Sequence, residues 1–164
     1  MRRPAATFAA ACFAMTLAAP GLASEYATLS PPDGTYAASI PVKSDLARAR
    51  MALQNGDYSR AASLFAPLAD GSLDPGIQLM AGFANLGAGD LARANIYFHR
   101  SMRRNASNPA ALQGLGLVAL ARGDRDGAKA ELAKLEQAAA RCTGTCTRAA
   151  QIESAAASLR RAIG

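Results

Sequence analysis

"NGDYSRAASLF" (residues 55–65) holds a Gly-Asp pair that returns in "AGDLARANIYF" (88–98) and in "RGDRDGAKAEL" (122–132). The pairs Gly56-Asp57, Gly89-Asp90 and Gly123-Asp124 stand 33 and 34 residues apart. Each is followed by an alanine four positions after the Asp (Ala61, Ala94, Ala128) and by a bulky residue four further on (Phe65, Phe98, Leu132). Self-similarity at this period marks a repeat in which one supersecondary unit is stacked on the next.

Working outward from the pairs, apolar residues recur at helical spacing before each one: Leu46, Ala49 and Leu53; Ile77, Met80, Ala81 and Ala84; Leu112, Leu115 and Ala119. Ser44, Asp74-Pro75 and Asn108-Pro109 read as the starts of these helices, a side-chain cap with Pro at the first helical position in the last two. The glycine then ends the first helix in a left-handed cap, and the aspartate opens the second by accepting orphan amide hydrogens. This predicts helical hairpins over 43–74, 75–108 and 109–141. Pro67 is expected to bend or end its helix, since a helix interior loses roughly 3 kcal/mol to proline.

The pattern resembles the tetratricopeptide repeat over about residues 42–136. The resemblance rests on the small residue of the first helix (Ala49, Gly82, Gly116), the Gly-Asp turn, the small residue of the second helix and the bulky one after it. The sequence departs from the family at the aromatic near the start of the first helix, where it has Asp45, Gln78 and Leu112. Arg48 also stands where the later units have Ala81 and Leu115. The first unit is therefore either a solvent-facing cap or a degenerate copy. The resemblance implies an all-α, right-handed α-solenoid of about three repeats. Residues 142–164 follow as a CxxxC turn and a capping helix, with Ile152, Ala155, Ala156, Leu159 and Ile163 on one face to cover the last repeat.

The chain has 164 residues, room for one domain, with 5% aromatics and no Trp, so small residues must let helices approach closely. Arg2-Arg3, the apolar run over 5–19, the Pro20-Gly21 break and Gly21-Leu22-Ala23 have the layout of an export signal over 1–23. The run is shorter than the ~20 residues of a membrane span, so no stable span is expected after signal removal. Cys12 follows three alanines without the leucine of a good lipobox, which leaves a lipid anchor as the lesser alternative to a periplasmic protein. Residues 24–42, with Pro31, Pro32, Gly34 and Pro41, read as an extended or disordered arm. Formal net charge falls from +6 to +4 once Arg2 and Arg3 leave, and Arg100, Arg103 and Arg104 read as helix-end cations, so no nucleic-acid partner is expected.

Cys142 and Cys146 are the only cysteines after the signal, and an even count in an exported chain reads as a disulfide, with Thr143-Gly144-Thr145 as the turn that closes it. His99 is the sole histidine, and Asp124 and Asp126 belong to a helix start. No phosphate loop, nucleophile elbow or Ser-His-Asp set is present, so no enzyme, metal or cofactor is expected. The resemblance places binding on a face built by the first helices. Its candidate residues are Lys43, Leu46 and Arg50; Leu79, Phe83 and Leu86; Gln113 and Leu117. Leu53 and Leu120 fall there too, as packing residues or contacts. Lys43 and Arg50 suggest an acidic peptide. Phe83 is expected to serve binding with little share in stability. The implied function is a non-enzymatic adaptor of the bacterial cell envelope that binds a protein or peptide segment during assembly of a secretion, pilus or envelope complex. The rivals are a self-associating structural protein, its arm (Tyr26, Leu29, Tyr36, Ile40) held by another copy, and a thiol-redox protein using Cys142 and Cys146.

Overall fold

A computed structural model of the protein describes residues 40–103, 105–142 and 146–164, with side chains from Ser44 onward, all belonging to the compact unit Thr35–Gly164. The export signal, residues 24–39 of the arm, the Lys43 side chain, Arg104 and the turn 143–145 lie outside the described residues. The described residues form α1 (Ile40–Gln54), α2 (Tyr58–Asp70), α3 (Pro75–Gly87), α4 (Leu91–Ser101), α5 (Pro109–Ala121), α6 (Arg125–Arg141) and α7 (Ala149–Ile163), with no strand. Each helix packs on the next, and α5 also touches α3 and α7.

The Gly-Asp turns are alike down to their hydrogen bonds. Gly56, Gly89 and Gly123 have φ of 75°, 82° and 80°, the left-handed region where a side chain is strained. Their amides donate to Leu53, Leu86 and Leu120, while the next residues, Asp57, Asp90 and Asp124, donate to Ala52, Asn85 and Ala119. These paired bonds are a Schellman closure that satisfies the last carbonyls of the first helix. The same aspartates cap α2, α4 and α6 by accepting from the amides of Arg60, Arg93 and Gly127. One residue thus closes one helix and opens the next. Asp90→Ala is expected to cost about 0.5–2 kcal/mol, read as a lower melting temperature; a melt unchanged from the parent's would show that the α3–α4 turn holds without its cap.

Asp74 and Asn108 cap α3 and α5 ahead of Pro75 and Pro109, as the sequence suggests. Ser44, by contrast, lies inside α1, which begins at Ile40. Pro41 is tolerated there because a first-turn amide has no helical acceptor to lose. Pro67 does not end α2, which runs on to Asp70. It sits in the last turn, and the carbonyl it deprives of a partner belongs to exposed Ser63, where water can serve.

Small residues carry the crossings. Ala49, Ala61, Ala94 and Ala128 are fully buried. A Cβ on Gly82 would stand 2.6 Å from the Phe98 ring, and one on Gly114 closer still, so the ring is clamped between α3 and α5. Gly116 meets Leu159 of α7 in the same way. Phe65 and Phe98 are the large buried residues of α2 and α4, but in α6 that place passes from Leu132, which is half-buried, to Leu135. Leu135 lies two turns after Ala128 on the same face and packs with α7 through Leu159 and Ile163. Gln78, where the family has an aromatic, is buried and donates through Nε2 to the carbonyls of Ala69 and Ser72, tying α3 to the end of α2.

Candidate functional site

An open groove of about 560 Å³ is bordered by α3, α5 and α7. Leu79 stands on one side, Asn108, Pro109, Ala110 and Gln113 on α5 and the turn before it, and Ala150, Gln151, Ser154 and Ala155 on α7. The sequence positions α5 through the Asn108 cap and α7 through Leu159, which fills the space left by Gly116. Gln113 spans the two helices, its Nε2 donating to Ser158 Oγ at 3.0 Å. Arg160 pairs with Glu136 at 2.7 Å, and Arg148 donates to the Ser107 carbonyl at 2.7 Å, so α7 is tied to α6 and to the α4–α5 linker as well. Cys142 and Cys146 are joined by a disulfide, Cα atoms 5.4 Å apart, across the α6–α7 connection.

Of the residues expected on the binding face, the groove brings together Leu79 and Gln113. Leu46 is half-buried against the α1–α4 core, and Arg50 is exposed on α1 without lining the groove. Leu117 is half-buried against the cluster shared by α5, α6 and α7, and Leu53 and Leu120 pack on neighbouring clusters too. Leu86 packs on the Phe98 cluster. Phe83 is half-buried and meets the buried Phe98 ring in a T-shaped contact with centroids 5.0 Å apart. Phe98 lies against α3 at Gly82 with the Phe83 ring beside it, so truncating Phe83 is expected to remove packing on the buried ring as well as surface.

The α7 contribution is absent from a reading in which this helix only covers the core. Gln151, Ser154 and Ser158 stand at i, i+3 and i+7, a polar stripe beside the apolar one, and that spacing was the available signal. His99 is exposed on α4, Asp124 caps α6 and Asp126 pairs with Lys129 at 3.3 Å. Among the described residues no group of three His, Cys, Asp or Glu is placed to hold a metal, and no helix is long and apolar enough to cross a membrane.

Between α2 and α4, Asp70 accepts from Arg100 at 2.7 Å and from the Tyr97 hydroxyl at 3.3 Å, with the Arg100 guanidinium 5.5 Å from the Tyr97 ring centre. Burial first, then the Asp70 carboxylate, raises the Tyr97 phenol above its ordinary value of 10.0. The unfolded chain therefore loses this proton first. Stability from the neutral phenol is full below pH 10 and is lost as pH climbs through the raised folded value. Melting temperatures taken across this alkaline range should fall more steeply for the parent than for Tyr97→Phe. Parallel curves would place the phenol in an environment no different from the unfolded chain's.

Comparison with protein-family models, with curated proteins and with solved structures finds no match to this chain.

Proposed function

We propose that the protein is a non-enzymatic adaptor of the bacterial cell envelope, a solenoid of tetratricopeptide type that binds a peptide or protein segment in the groove bordered by α3, α5 and α7. One observation carries this reading. An open groove is lined by apolar and hydrogen-bonding side chains drawn from successive odd-numbered helices, the arrangement by which helical repeats present a binding face. The three like Gly-Asp turns and the glycine-mediated crossings support the family reading. Arg2-Arg3 and the apolar run after them support export, for which a mature N-terminus near Ser24 in the native host is the expected readout. The disulfide, lying across the α6–α7 connection, acts in this reading as a staple.

The test is a photo-crosslinking side chain placed at Ser154, exposed in the groove, with a second at Met51, which is 61% exposed on α1, as control. Capture of a discrete envelope protein segment from Ser154 and not from Met51 supports the adaptor. The same products from both positions, or none from Ser154, would sink it. Capture of this chain's own residues 24–39 from Ser154 would replace it by self-assembly.

A further inference from the structure

We infer that the occupant of the groove is an extended, uncharged peptide segment recognised through its main chain, with small side chains, rather than an acidic peptide held by cations. The inference rests on the reading of this groove as a peptide site and deepens it. Among the described residues no charged side chain lines the groove; of the two cations expected to select an acidic partner, Arg50 stands elsewhere on α1 and the Lys43 side chain lies outside the described residues. What lines it instead is neutral hydrogen-bonding capacity on two walls. Asn108 Oδ1 is engaged by the Ala110 amide at 3.2 Å, which leaves the two hydrogens of its Nδ2 to donate. Gln113 uses Nε2 on Ser158, which leaves Oε1 to accept. Facing them from α7, the exposed side chains of Gln151 and Ser154 make no hydrogen bond among the described residues, so each offers both a donor and an acceptor.

A peptide main chain carries one donor and one acceptor per residue, and in an extended segment these stay free for a partner. A helical segment spends them internally and would leave this mixed set unanswered. The apolar part of the lining, Leu79, Pro109, Ala110 and Ala155, is mostly small, and it suits alanine-sized or serine-sized side chains. Among the described residues no aromatic ring lines the groove, so they supply no stacking platform of the kind by which sugars and bases are held.

The experiment screens a positional-scanning library of acetylated, amidated short peptides against the full mature chain, then measures the selected peptide by fluorescence anisotropy. Neutral sequences rich in small residues should be selected, with an affinity that moves less than about twofold between low and high salt, because no charge pair is there to be screened. N-methylation of alternate main-chain amides should weaken binding by about tenfold while side chains stay the same. Gln151→Ala combined with Ser154→Ala, both exposed on α7, should weaken it about as much without moving the melting temperature. Selection of acidic peptides with salt-sensitive affinity would overturn the inference and leave the peptide adaptor standing, as would neutral peptides indifferent to N-methylation. Failure of every peptide to bind would overturn both.

Discussion

Phe98→Ala is expected to lower the unfolding free energy by about 3–5 kcal/mol. The ring is fully buried and is shared by three helices: it belongs to α4, is clamped by Gly82 of α3 and Gly114 of α5, and meets Phe83 edge-on. Total stability of a domain this size is about 5–15 kcal/mol, so a large part would go at once. The glycines supply a sharper test than the truncation alone. In an open helix Gly→Ala is worth about 1 kcal/mol of added stability through backbone propensity. In the parent, Gly114→Ala should instead destabilise, because its methyl group meets the ring. In the Phe98→Ala background the emptied space admits that methyl, and the same change should become neutral or stabilising. Urea denaturation of the four proteins measures the sign reversal. A Gly114→Ala parent that is more stable than the original would mean that α5 does not rest on this ring.

Leu159→Ala should cost about 2–5 kcal/mol and loosen α7 ahead of the rest. Leu159 is fully buried against Gly116, and Ile152, Ala155, Ala156 and Ile163 continue the same face. The start of α7 has little of its own to hold it, for Arg148 at its N-cap makes no side-chain capping bond. Packing, the Gln113–Ser158, Glu136–Arg160 and Arg148–Ser107 contacts and the disulfide retain the helix. Hydrogen exchange of the α7 amides should therefore speed up in Leu159→Ala while the amides of α1 and α2 stay protected. Unchanged α7 protection would show that the helix is held by its ends alone. Since Gln151, Ser154 and Ala155 stand on this helix, peptide affinity is expected to fall with its protection.

Much of the fold could be read from the sequence because its decisive elements are local. A glycine with positive φ followed by an aspartate that caps within three residues needs no tertiary partner to be recognised, and neither do Asp74-Pro75 and Asn108-Pro109. What escaped depended on neighbours. The tolerance of Pro41 and Pro67 turned on their places in a first and a last turn, and the exchange of Leu132 for Leu135 as the buried residue of α6 turned on where α7 came to rest. Leu79 and Gln113 line the groove, whereas the contact of half-buried Phe83 with the Phe98 ring depends on a residue of another helix. The α7 wall was hidden because small polar residues beside an apolar stripe look like ordinary solvated surface until a second helix faces them.

The turns also decide where this chain can change length. Each turn aspartate donates to one helix and caps the next, so between α1 and α2, α3 and α4, or α5 and α6 there is no spare residue. An insertion on either side of the aspartate would part it from one of the two helices and forfeit the closure or the cap. The connections between hairpins are built differently: Leu73 is 69% exposed, and Asn105 and Ala106 are exposed in the linker before α5. Epitope tags, split points and added loops belong at those places, and divergence in length is expected to accumulate between hairpins while the hairpins themselves keep their residue count.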